Sequence, residues 1–222
     1  MTSTAQRPHP ARISTSVALV VIVIVIVGIQ MSLPSSVTIG PTWLIPAIEL
    51  TGIPIAVVLT RWLGSDEPIV RTIMTAYLVF LVLACVMNAV LLLVSLLRGS
   101  DDSGVYLLLA GFGVLAINVL SFGLVYWWID GGGPSRRADG TVQSWDFLFP
   151  QQGQQQPGWT PGLIDYLFTA YTNIIAFSPT DTMPLSHRVK VLFTLQSSTA
   201  LLTIVVTLSR AVNLIPGGTP GS

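Results

Sequence analysis

The stretch TNIIAFSPTDTMPLS (Thr172–Ser186) lies between two apolar runs near the end of a 222-residue chain that is otherwise oily. Ahead of it, PGLIDYLFTAYTNIIAF (Pro161–Phe177) offers about 13 helical residues, which rise about 20 Å and fall short of the ~30 Å of bilayer hydrocarbon. That length suits a half-helix that enters a membrane and turns back through a polar segment. Behind it, Val189–Ile215 is long enough to cross. Irregular backbone is tolerated at membrane depth only where protein or a water cavity surrounds it. The alternative is a plain turn: Pro pre-sets φ, and Asp181 or Ser186 caps the last helix.

Composition points the same way. Hydrophobic residues make up 51% of the chain and charged residues only 9%, with a mean hydropathy of +0.73. Soluble domains carry about 25% charge, so the lipid bilayer is the expected solvent and partner. Ten Lys and Arg balance ten Asp and Glu, which gives no sign of nucleic acid. The single cysteine, Cys85, excludes an internal disulfide and a thiol pair for a metal. His9 and His187 fall outside the apolar runs. No metal-type His spacing, Ser-His-Asp set, phosphate-cradling Gly loop or nucleophilic Cys stands out, so no enzyme, catalytic residue, metal or cofactor is expected.

Residues 1–12 read as a disordered tail and 13–98 as N-terminal transmembrane helices. Ile13–Leu33, around SVALVVIVIVIVGI, reads as a retained span, because QMSLPSS is a poor signal-peptidase site. Thr42–Leu63 is interrupted by Pro46, Glu49, Gly52 and Pro54, which leaves a broken span and a re-entrant hairpin both open. Glu49 is a functional candidate by its depth, or else a carboxylate near one interface. Thr72–Leu97 and Val105–Ile129 read as helices joined by a tight turn, RGSDDSG. Their amides, Asn88 and Asn118, are intramembrane polar candidates expected to bond a neighbouring helix. YWWID (Tyr126–Asp130) reads as an aromatic belt at a headgroup boundary.

The region 99–215 divides into an outer helix 105–129, a flexible Gly-, Pro- and Gln-rich loop 130–160, a half-helix 163–175, a polar loop 176–186 and an inner helix 188–213. Residues 216–222 form a second tail. The expected fold is an all-α integral membrane protein, multi-pass and of bacterial inner-membrane type. It has four or five transmembrane helices plus a short re-entrant half-helix before the last span.

AFSPTDTMPLSHR resembles the filter region of the pore-loop cation channels of the two-helix potassium type. In that family an aromatic- and Thr-rich half-helix leads into Thr-Val-Gly-Tyr-Gly-Asp, then Pro, Ser or Thr, and an Arg before the inner helix. Here Ala176 and Phe177 fall on the first Thr and the Val. Ser178, Pro179 and Thr180 replace Gly, Tyr and Gly, while Asp181, Pro184, Ser186 and Arg188 fall on like residues. The resemblance covers Val105–Asn213 and implies a homotetramer passing a monovalent cation. The filter candidates it marks are Thr172, Asn173, Ala176, Phe177, Ser178, Pro179, Thr180 and Asp181.

Glycine serves potassium filters because alternate residues take left-handed backbone angles; Ser178, Pro179 and Thr180 do not support that arrangement. A wider mouth lined by hydroxyls and the Asp181 carboxylate is the form the residues suit. The stretch is also similar to a family of uncharacterised bacterial inner-membrane proteins with an aromatic-Thr half-helix and Phe-x-x-Ser-Asp before a final helix. A non-conducting scaffold or binding subunit is therefore the second expectation.

Charge placement leans against the channel orientation. With the N-terminus inside and five spans, Arg7, Arg12, Arg61, Arg71, Arg136, Arg137, Arg188 and Lys190 lie inside, and Arg98 and Arg210 outside. The channel resemblance places residues 129–188 on the outer side.

Overall fold

A computed structural model describes residues 11–64, 67–98, 104–153, 159–176 and 181–214. The two terminal tails, apart from residues 11 and 12, lie outside the described residues, as do most of the 98–104 turn and the candidates Phe177–Thr180. Helix dominates: α1 (Ala11–Met31), α2 (Leu44–Trp62), α3 (Pro68–Arg98), α4 (Gly104–Ile129), α5 (Pro134–Ala138), α6 (Pro150–Gly153), α7 (Leu163–Ile175) and α8 (His187–Leu214). Two-residue strands β1 (Phe147–Leu148) and β2 (Met183–Pro184) pair antiparallel, Phe147 opposite Pro184.

The fold is all-α, and three helical stretches, Pro68–Arg98, Val105–Gly132 and His187–Ser209, are long and apolar enough to cross a membrane. The apolar windows of α1 and α2, Leu19–Met31 and Leu44–Leu59, are shorter. α2 is one continuous helix, so 42–63 neither breaks nor doubles back. Pro46 sits in its first turn, where an N–H has no helical acceptor. Pro54 lies inside the helix. Gly52 lets the Tyr77 ring of α3 lie against the backbone; a Cβ there would fall 2.1 Å from Tyr77 Cε2.

α4 is the hub and runs antiparallel to both α3 and α8. Trp128 Nε1 donates to Thr75 Oγ1 at 3.1 Å near one end of the α3–α4 pair. Gly111 meets Thr207 of α8 near the other end of α4. The apolar core joins Val23 and Ile26 of α1, Leu81 and Leu92 of α3, and Leu107, Val114 and Ile117 of α4. Within it, Asn88 and Gln30 exchange amide hydrogen bonds of 2.8 and 3.3 Å between α3 and α1.

Two expectations are corrected. Residues 130–153 form no flexible loop: they fold over the end of α4 as a cap, with Asp130, Phe147 and Asp146 buried. Gly131, Gly132 and Gly133 all adopt positive φ (60°, 81° and 108°), which turns the chain back at low cost where a Cβ would be strained. As a consequence Tyr126, Trp127 and Trp128 are buried within the protein, not set as a belt facing headgroups. The Tyr126 ring lies 5.3 Å from Phe147 of the cap and 5.0 Å from Phe193 of α8.

Candidate functional site

α7 starts where Asp165 Oδ2 accepts the Gly162 N–H at 2.7 Å, placing a carboxylate in the first turn where the helix dipole favours it. Its inward face holds Tyr166, Thr169, Ala170, Asn173 and Ile174, at helical spacing. Its exposed face is Ile164, Phe168, Tyr171 and Ile175. The polarity is inverted relative to a helix on an aqueous surface, which turns its apolar side inward.

Hydrogen bonds fix the direction of α7. Near its start, Tyr166 Oη donates to Asp130 Oδ2 at 2.6 Å, beside the end of α4. Two turns on, Asn173 Nδ2 donates to Gln196 Oε1 at 2.8 Å, and Ser197 Oγ bonds Asn173 Oδ1 at 3.1 Å. Gln196 and Ser197 lie two to three turns into α8, about 14 Å beyond its first residue. α7 therefore runs inward alongside α8. The chain then returns: Thr182 Oγ1 is 3.2 Å from Thr169 Oγ1, Met183–Pro184 pairs with the cap strand, and Leu185 N donates to Asp146 O at 2.8 Å.

The candidates Thr172 and Asn173 are buried and bonded inside the protomer. The Thr172 hydroxyl donates to the Phe168 and Thr169 carbonyls, and Asn173 belongs to a chain that also takes in Tyr126, whose Oη donates to Gln196 Oε1 at 2.7 Å. Ala176 and Asp181 are exposed. Ser186 takes the capping role: its hydroxyl accepts the Val189 N–H at 3.4 Å.

What sequence reasoning missed is the cluster that anchors this hairpin. Asp130 Oδ1 accepts the N–H groups of Asp146 (2.7 Å) and Phe147 (3.2 Å), while Oδ2 takes Tyr166. Arg137 is buried, donates to the Trp127 and Asp130 carbonyls, and lies 5.0 Å over the Tyr166 ring. Arg188 grips Asp146, Nε to Oδ1 at 2.8 Å, and also donates to the Ile129 carbonyl at 3.2 Å. Arg71 reaches the Gly132 carbonyl. Arg137 and Arg188 thus satisfy carbonyls at the end of α4, Trp127 and Ile129, and Arg71 satisfies one in the glycine turn beyond it. Burial by itself raises the Asp146 carboxyl; hydrogen bonds from Arg188 and Ser186, with the Arg188 charge, outweigh it and hold the carboxyl below its ordinary range. The signal available in sequence was only that Asp130 and Asp146 flank a Gly-rich stretch carrying Arg136 and Arg137.

Of the remaining candidates, Asn88 has its partner in Gln30, whereas Glu49 and Asn118 are each 1% exposed. Glu49 is thus buried within the protein. Compared with protein-family models, curated proteins and solved structures, the chain matches none.

α8 has a free side. In its membrane-length window 33% of residues are buried, against 50% for α3 and 56% for α4. Its exposed stripe runs Val191, Thr194, Ser198, Leu201, Val205 and Leu208, at alternating steps of three and four.

Proposed function

We propose that the chain is a multi-pass membrane protein with five membrane helices, whose C-terminal half forms a channel-like pore module. Four copies surround an axis lined by α8, and the segment after α7 forms a wetted, cation-attracting mouth with Asp181 at its rim. The observation that supports this most is the path of α7, inward along α8, with an extended polar return through Thr182–Pro184. The inverted polarity of α7 favours membrane depth, since Ile164, Phe168, Tyr171 and Ile175 suit lipid or a neighbouring copy. The exposed stripe of α8 has the spacing of packed helices, and Thr194 and Ser198 on it suit water or protein more than lipid.

A second reading is favoured by one observation: Thr172 and Asn173 use their polar groups within the protomer, as a purely structural half-helix would. In it the protein is a non-conducting scaffold. Purified protein in liposomes separates the two. The channel reading expects a tetramer, cation flux that Asp181→Asn reduces, and a Ser135→Cys thiol labelled from outside. A monomer or dimer without flux, or a cytoplasmic Ser135, supports the scaffold.

A further inference from the structure

Among the described buried acidic and basic residues, Asp130, Arg137 and Asp146 belong to the cap, and Glu49 alone lies elsewhere. Its Oε2 has no hydrogen-bond partner. Its backbone carbonyl accepts Tyr77 Oη at 2.8 Å, which fixes α2 against α3 at this level. On α4, Asn118 has neither its amide oxygen nor its nitrogen bonded, and the hydroxyl of Ser121, one turn on, is likewise unpartnered. Cys85 of α3 is the neighbour they share: its thiol lies beside the Asn118 amide and within electrostatic reach of the Glu49 carboxylate. Three helices therefore bring unsatisfied polar atoms to one level of the bundle.

The groups around Glu49 supply no compensating charge. From α3 they are Tyr77 and Cys85, with Asn118 of α4 next to Cys85; α1, which also packs on α2, brings the buried Gln30, already paired with Asn88. Arg137 meets α4 near Asp130, twelve residues beyond Asn118, or about 18 Å along the helix. Arg61 is also twelve residues from Glu49, about 18 Å along α2. A lone carboxylate in such surroundings is costly, and it is neutralised by taking up a cation. The amide of Asn118 can serve the neutral acid in both directions, accepting an O–H and donating to a C=O.

We propose that Glu49, Asn118 and Cys85 form an intramembrane proton-binding site in which Glu49 carries the proton. One carboxylate oxygen gains a proton from hydronium, whose O–H bond breaks to leave water, and the charge at the site rises by one unit. The site is separate from the α7–α8 hairpin and stands or falls independently of conduction.

The test uses the full chain in liposomes and the hydrophobic reagent dicyclohexylcarbodiimide, which adds to protonated carboxyls in apolar surroundings. Mass spectrometry is expected to find the adduct on Glu49, lost as pH rises and abolished in Glu49→Gln. Asn118→Leu is expected to shift the pH of half-labelling. Wild-type protein also gives, by infrared difference spectroscopy, the C=O stretch of a carboxylic acid that vanishes on raising the pH and is missing from Glu49→Gln. Absence of both signals at every pH overturns the proposal. Protection of Glu49 by sodium or potassium at fixed pH overturns the proton in favour of a metal ion, and an unshifted Asn118→Leu removes Asn118 from the site.

Discussion

Arg188, in the first turn of α8, holds the carboxylate of Asp146 in the cap, with Nε 2.8 Å from Oδ1. The same guanidinium reaches the carbonyl of Ile129, the last residue of α4. One side chain thus ties together the end of one long helix, the start of another and the strand pair between them. The α7 hairpin hangs from this knot.

Removing Arg188 leaves a buried Asp146 carboxylate with only the Ser186 hydroxyl and backbone donors. The Arg188 side chain is 59% exposed, so solvent screens part of the interaction. Arg188→Ala is expected to lower stability by roughly 1–3 kcal/mol, read from unfolding by SDS in mixed micelles.

The Asp146 carboxyl lies below its ordinary value of 3.8 in the folded state. A depressed carboxyl contributes stability that is complete above the unfolded value and is lost as pH falls through the folded one. The unfolding temperature is therefore expected to drop below about pH 3.8, and Asp146→Asn flattens that part of the curve. An unchanged acid limb in Asp146→Asn rules out this contribution.

Gln196 accepts from both Tyr126 Oη and Asn173 Nδ2, and donates to the Ala170 carbonyl at 3.0 Å. Gln196→Leu leaves these three groups in a place water does not reach. A loss of about 1–3 kcal/mol is expected, together with faster proteolysis of the 176–186 segment as α7 loosens from α8.

At Gly123, α7 crosses α4 so closely that a Cβ would fall 2.6 Å from Leu167 Cδ2 and 3.2 Å from Leu167 Cα. The second contact is backbone, which cannot swing aside. Gly123→Ala is expected to cost about 1–3 kcal/mol, while Gly28→Ala, with nothing within 4 Å, is neutral or stabilising by up to about 1 kcal/mol. Equal effects in the two variants would sink the close-crossing argument.

Much of the helical layout was legible because long apolar runs mark the long helices, and a run's length is written in one dimension. The short helix α7, 13 residues long, was legible in the same way from the length of its run. Burial of α4's aromatic end was not legible, since Tyr126–Trp128 read identically whether a headgroup or a folded cap lies beside them. Nor did the Gly, Pro and Gln of the loop announce that 130–153 folds as a cap, because what holds that segment is Asp130 receiving donors from residues up to 36 positions away.

The sequence alone determined an all-α chain with helical runs long and apolar enough to cross a membrane, and it marked the polar stretch after α7 as distinct from them. Tertiary structure decided which polar side chains find partners: Asn88 does, in Gln30, and Asn118 does not. It also decided that α7 runs inward alongside α8. The physical reason is that apolar length is a local property, whereas satisfaction of a hydrogen bond depends on which atoms distant segments bring within about 3 Å.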